Sequence, residues 1–452
     1  MSPASLLRRA RNEWRTQLWP LPAAGIVLAV LLGVGLPRVD RAIDDALPSA
    51  VTDYLFGGGA TSARAVLEAI SGSLITVTAL TFSLTVVTLQ LASSQFSPRL
   101  LRTFTRDRVV HVTLALFLST FTYALTVLRT VREQDDKQPQ FVPQISVTLG
   151  FVLALASVLG LVFFLAHLAR EIRVETMLRT VHAEASSTAR GLLPRRDAAA
   201  AAPALPVPPA TADLLLAGSS GFLVGVDEQA LLSAAVEADA VVLLDRPPGS
   251  SLVEQTPVGL TWSRSGGRFD PDVLAQLRRD VDTALSTGFE RTEDQDIGYG
   301  LRQLTDVASK ALSPGVNDPT TAVHALGHLS ALLCELAGLD LSARLLHDED
   351  GLLRVVLARP NLADLLELSL TQPRRYGSTD PLVLGRLLML LRELGWVVQD
   401  PVQRRAVKHQ LDRLRATARG QDFDPTETER LDALAELAEQ ALEGRWPVAD
   451  IS

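Results

Sequence analysis

The sequence predicts a membrane α-helical protein with four transmembrane helices, joined to a cytoplasmic α+β domain that is mostly helical. Three observations carry this. Four long runs in the first 170 or so residues have cores free of Asp, Glu, Lys and Arg. Arginines gather at alternate ends of those runs. The rest of the chain returns to the charged, amphipathic pattern of a fold in water.

A helix needs about 20 apolar residues to cross roughly 30 Å of hydrocarbon, with every backbone polar group bonded inside it. The spans read as about 18–36, 70–95, 109–128 and 145–168. Trp14 and Trp19 stand at the start of the first as interfacial anchors. That run follows arginines as a secretion signal would, but no small-residue cleavage site follows it, so it reads as a retained anchor. Arg8, Arg9, Arg11 and Arg15 precede span one. Arg99, Arg102, Arg106 and Arg108 fill the link between spans two and three, and Arg170, Arg173 and Arg179 follow span four. The other two links mix sparse basic residues with Asp40, Asp44, Asp45, Asp53, Glu133, Asp135 and Asp136. The positive-inside rule then places both termini in the cytoplasm.

Composition narrows the rest. The 452 residues are enough for two or three domains, and one cysteine, Cys334, precludes an internal disulfide. A net charge of −8 argues against a nucleic-acid partner. The expected partners are the bilayer, further copies of the chain in a homo-oligomer, and a small ligand or ion.

Span two carries Thr78, Thr81, Thr85 and Thr88 on one face, with Ser71 at its end, and Ser73, Thr76, Ser83 and Gln90 on another. The threonines could line a water-filled path, which makes a channel-like oligomeric pore with a cytoplasmic regulatory domain the first functional reading. They could equally pack helix on helix, the commoner use of such residues. Span four shows small residues four apart, Gly150 with Ala154 and Ala156 with Gly160, a packing signal. Ionisable groups of the kind that drive coupled transporters are missing from the span cores, which leaves His111 and His167 near the span ends.

Domain organisation reads as a transmembrane region over 1–185, a Pro/Ala-rich linker over 186–212, a small strand-rich module over 213–268 and a helical domain over 269–452. The module has strands at 221–226, 240–244 and 258–262 around a helix at 227–237. Five Asp-Pro pairs, at Asp270, Asp318, Asp380, Asp400 and Asp424, each read as a helix start. The aspartate accepts first-turn N–H groups, and proline at the first position loses no bond.

The hydrogen-bonding segment from Arg291 to Gln303 and the turn Ser313 to Pro319 offer a candidate cytoplasmic pocket: Arg291, Gln295, Asp296, Arg302, Asn317 and Asp318. Arg291 and Arg302 would suit an anion near a helix N-terminus; a capped helix with internal ion pairs is the plainer reading. Such a pocket underlies the second functional reading, a membrane-anchored sensor or scaffold that binds a ligand or partner without transport. His324 and His328 have metal-ligand spacing but lack a metalloprotease glutamate, and read as a helix-surface pair. No nucleophile elbow, phosphate loop or dinucleotide motif supports an enzyme, and no cofactor is implied.

Two blocks carry a family resemblance. One runs from Ser71-Gly72-Ser73 through Thr81-Phe82-Ser83 to Gln90-Leu91-Ala92-Ser93-Ser94-Gln95-Phe96-Ser97-Pro98-Arg99. The other holds Gln295-Asp296, Tyr299-Gly300, Arg302-Gln303-Leu304 and Ala311-Leu312-Ser313-Pro314-Gly315-Val316-Asn317-Asp318-Pro319. Together they resemble the bacterial predicted membrane proteins of domain of unknown function 2254. The resemblance implies a bacterial inner-membrane protein and brings no activity with it. Pro248-Gly249-Ser250-Ser251-Leu252-Val253 departs from that family's Pro-Gly-Asp-Phe-Val-like pattern.

Overall fold

The computed structural model describes residues 19–43, 55–95, 107–133, 141–171, 173–196 and 205–447. Trp14, the arginines at 8–15 and 99–106, Asp44, Asp45, Asp53, Asp135, Asp136 and the segment Phe96-Ser97-Pro98 lie outside them. The chain divides into two compact units, the first ending at Arg173 and the second beginning at Val174.

The first unit holds α1 (Pro20–Ile43), α2 (Ala60–Gln95), α3 (Arg108–Leu128) and α4 (Gln144–Glu171). All four are long and apolar enough to cross a membrane. α3 packs against each of the others. Its Phe117, Tyr123 and Val127 are fully buried among Ala29 of α1, Leu67 and Leu74 of α2 and Val147 of α4. Large apolar side chains face outward instead: Leu28 and Leu31 on α1, Phe82 and Val86 on α2, Phe151, Leu155 and Phe163 on α4. An exterior of this kind suits lipid and would be costly in water.

Small residues set the closest crossing. Gly25, Ala29 and Gly33 recur every four positions along α1. A Cβ at Gly25 would lie 2.4 Å from Ser119 Oγ, and one at Gly33 2.7 Å from Thr126 Cβ. Only glycine lets the backbones of α1 and α3 approach this closely.

Polar groups pin the two ends of the bundle. The buried Asp40 carboxylate accepts from the backbone N–H groups of Ile145 (2.9 Å) and Ser146 (3.1 Å) and from the Ser146 hydroxyl (2.5 Å). It thereby caps the N-terminus of α4 from α1. The Tyr123 hydroxyl donates to the Ser146 carbonyl at 3.0 Å. At the other end Asp107 caps α3 through Val109 N (2.8 Å) and pairs with His167 of α4 at 2.5 Å. Midway, the Thr120 and Ser157 hydroxyls meet at 3.2 Å between α3 and α4.

Two spans are longer than expected. α1 continues past residue 36 through Pro37 to Ile43, and α2 begins ten residues before position 70, carrying Arg64 and Glu68. Apolar runs mark what lies in hydrocarbon, whereas helix continues into polar flanks. At 36 residues α2 is about 54 Å long, well beyond a bilayer core.

The second unit opens with α5 (Val174–Leu192). This helix crosses the boundary expected at 185 and runs seven residues into the linker expected over 186–212, and it packs on the helical part of this unit. Ser186 and Arg190 both donate to Glu335, and Gly300 crosses so close that a Cβ there would lie 2.2 Å from Ala185 Cβ. There follow β1 (Asp213–Leu216), β2 (Gly221–Val226), α6 (Glu228–Glu237), β3 (Ala240–Leu244), β4 (Ser251–Leu252), β5 (Pro257–Ser263), α7 (Pro271–Ala284) and β6 (Leu285–Gly288). Then come α8 (Tyr299–Ala311), α9 (Pro319–Ala337), β7 (Arg344–His347), β8 (Leu353–Leu357), α10 (Leu362–Tyr376), α11 (Pro381–Val397), α12 (Pro401–Arg419) and α13 (Pro425–Leu442).

One sheet has the order β1-β5-β3-β8-β7 and the other β4-β2-β6. Every pairing is antiparallel except β3 with β8. Leu223, Leu231, Val242, Leu277, Val281 and Val355 share their core. Strands β6, β7 and β8 come from 269–452, read from the sequence as a helical domain, and join strands of 213–268 in the two sheets. All five Asp-Pro aspartates cap their helices through first-turn N–H groups.

Replacing Asp40 with alanine strands the first N–H groups of α4 and should destabilise the protein by about 1–2 kcal/mol. Gly33→Leu should force α1 off α3 at a cost of about 1–3 kcal/mol. Thermal unfolding of the purified protein in detergent reads both; midpoints equal to that of the unaltered protein would contradict these assignments.

Candidate functional site

The pairing of β3 with β8 builds the site. These strands run parallel, with Leu244 opposite Leu357, and the Ala358 N–H extends the ladder to the Leu244 carbonyl at 2.9 Å. Parallel strands end on the same edge, so the residues that follow them are neighbours. Each is followed, two residues on, by an Arg-Pro pair: Arg246-Pro247 after β3 and Arg359-Pro360 after β8. β7 runs antiparallel to β8 with Arg344 opposite Leu357, which brings a third guanidinium to that edge. Open sheets hold ligands outside the carboxyl ends of parallel strands.

A cavity of about 130 Å³ lies there. Its apolar lining includes Leu193, Val226, Leu244, Ile297 and Leu357, and its charged lining is Arg246, Arg344, Arg359 and Glu228. Glu228 lies 3.4 Å from Arg344. Arg359 is half-buried and donates from Nη2 to the Leu192 carbonyl at 3.1 Å. Burial, and then the neighbouring charge of Arg344, pull the Arg359 pKa below its ordinary value, while Glu228 and Asp340 oppose that shift.

The residues expected to form a pocket divide into two groups. Gln295 lines the cavity, and its side-chain amide clamps Val226 at the end of β2, accepting from Val226 N (2.8 Å) and donating to Val226 O (3.2 Å). Asp296 is buried behind it, accepting from Arg291 Nε (2.8 Å) and Nη2 (2.6 Å) and from Gly298 N (3.0 Å). Burial pushes the Asp296 carboxyl above its ordinary value; Arg291 and, more weakly, Arg302 pull the other way. Gly249 rests on this carboxylate: its φ is +92°, and a Cβ would lie 2.3 Å from Asp296 Oδ2. The buried ion pair thus seats the Pro247-Pro248-Gly249 turn, whose prolines line the cavity. Asn317 and Asp318 stand elsewhere, in the turn before α9. Asn317 adopts φ +49°, and Asp318 caps α9 through Thr321, whose N–H and hydroxyl hold its carboxyl below the usual range.

The remaining candidates occupy packed helix faces. Thr78, Thr81, Thr85 and Thr88 are buried and continue the stripe begun by Ala63, Leu67 and Leu74 of α2. Thr78, Thr85 and Thr88 donate to the carbonyls of Leu74, Thr81 and Leu84, and Thr81 Oγ1 is buried without a partner. The second polar face, with Ser73, Thr76, Ser83 and Gln90, is exposed. On α9, His324 lies 3.8 Å from Glu175, whereas the His328 ring lies 5.6 Å from that of His182 on α5, tilted by 57°, and burial lowers the His328 pKa. Among the described residues no three metal-ligating side chains gather. Cys334, also on α9, has its thiol pushed up to about 11 by burial and by Glu393.

Sequence reasoning missed Glu228, Arg246, Arg344 and Arg359. The available signal was the repeated Arg-Pro after two short aliphatic runs, Val241 to Leu244 and Val355 to Leu357.

Asp296→Ala removes the carboxylate from the Arg291 guanidinium and the seat from the 247–249 turn, and should cost about 3 kcal/mol or more. Asp318→Ala loses only a helix cap, about 1 kcal/mol. Equal losses for the two in denaturant unfolding would remove Asp296 from its supporting role.

Comparison with known proteins accords with these observations. The family model described as "Predicted membrane protein (DUF2254)" matches residues 15–393. The uncharacterized proteins Rv1290c of Mycobacterium tuberculosis and Mb1321c of Mycobacterium bovis are each 38% identical to the chain over 397 residues, covering 87% of this chain and 74% of theirs. No solved structure matches it. The family match takes in the four apolar helices, both sheets and every residue lining the cavity; the chain belongs to the DUF2254 family of predicted membrane proteins.

Proposed function

We propose that the protein is a membrane-anchored sensor. In this reading its four helices hold it in a bacterial inner membrane with both termini in the cytoplasm, and its second unit binds a small ligand in the cavity beside β3 and β8. The observation that carries the reading is the cavity's placement. It is a concave, mostly apolar space with a few convergent charged groups at the carboxyl ends of parallel strands, the arrangement in which small-molecule sites are commonly found. The arginine distribution supports the orientation. The threonine face of α2 lends less support to a pore, since it is turned into the bundle of a single chain and most of its hydroxyls are bonded to their own helix.

The test uses the full chain in detergent and a panel of small metabolites, scored by thermal unfolding. A compound at a hundredfold excess over its Kd should stabilise the protein by about 2.7 kcal/mol. Ala358→Trp, which fills the cavity from its lining, should abolish that gain. If every stabilising compound acted equally on the tryptophan variant, the cavity would not be the ligand site.

A further inference from the structure

Three guanidinium groups and one carboxylate line the cavity; Arg344 lies 3.4 Å from that carboxylate, Glu228, and Arg246 lies 3.5 Å from Asp245 outside the lining. The grouping of the three arginines follows from topology: the carboxyl ends of β3 and β8 and the start of β7 share one edge. Guanidinium forks match oxyanions bidentately and remain charged throughout the physiological range. Apart from Gln295, the rest of the lining is apolar. The volume, about 130 Å³, is close to that of an engineered cavity of about 150 Å³ that takes benzene, so the space suits an apolar body of about one ring.

Resting on the cavity being the ligand site, we propose that its ligand is a small phosphate monoester, whose dianionic head lies among Arg246, Arg344 and Arg359 and whose apolar body sits on Val226, Leu244 and Leu357. A dianionic head offers three oxygens, and a single compact head of that kind can be shared by three forks. Burial of Arg359 beside Arg344 adds to the case, because two neighbouring cations at a partly dry edge gain from an anion between them.

Four probes separate the parts of this proposal: phenyl phosphate, benzoate, inorganic phosphate and phenol, each titrated calorimetrically into the full chain in detergent. Phenyl phosphate should bind tightest, with benzoate, inorganic phosphate and phenol each roughly tenfold or more weaker. Arg246→Gln and Arg344→Gln alter exposed side chains; each should weaken phenyl phosphate by about tenfold while leaving the thermal midpoint of the unliganded protein in place. Benzoate binding as tightly would overturn the dianion, and inorganic phosphate binding as tightly would overturn the apolar body. Phenol binding as tightly would overturn the anion class and leave the cavity reading intact. If none of the four bound, while a panel compound was lost on Ala358→Trp, the ligand class alone would fall. If no panel compound behaved so either, both readings would fall.

Discussion

A backbone N–H left bare in hydrocarbon costs several kcal/mol, and the first unit is arranged around that demand. The free N–H groups at the start of α4 are answered by Asp40 on another helix. Because the same carboxylate also accepts from the Ser146 hydroxyl, and the Tyr123 hydroxyl donates to the Ser146 carbonyl, the cap ties α1, α3 and α4 at one level. Asp107 and His167 repeat the device at the opposite end, between α3 and α4. Between the two ties the helices need little beyond apolar contact and small residues, which is what the glycine contacts on α1 supply.

The second unit depends on a different constraint, the single parallel pair. An antiparallel β3–β8 pairing would send Arg246 and Arg359 to opposite edges; the parallel pairing brings them together. The supporting wall is then fixed by groups that never face the cavity, chiefly the Asp296–Arg291 pair and the positive-φ Gly249 seated on it. This separates two kinds of acidic residue in the motif-bearing segments. Asp296 holds a wall, whereas Asp318 holds a helix end.

Much of this was legible in the sequence, because some signals are local. Uncharged runs of span length, and Asp-Pro at helix starts, report physics that acts within a few residues. Signals that depended on distant partners were lost. Arg354, the second residue of β8, carries a charge that belongs on a surface, yet it is buried between Asp239 and Asp348, each at 2.7 Å. Residues 186–192 look like the start of a linker because they include Ser186, Arg190 and Gly191; their helix is held by Glu335, some 145 positions away. The candidate site was half visible for the same reason. Gln295 and Asp296 sit in a dense local segment, while the three arginines converge only once β3, β7 and β8 have paired.

Cys334 carries a practical consequence. With its thiol pushed up to about 11, hardly any of it is thiolate near neutrality, and thiolate is the form that reacts with maleimides. Because the chain has no other cysteine, fluorophores or spin labels can be directed to one chosen position without first stripping a native thiol. The lipid-facing surface of α4 and the rim of the cavity thus become open to spectroscopy in the otherwise unaltered protein.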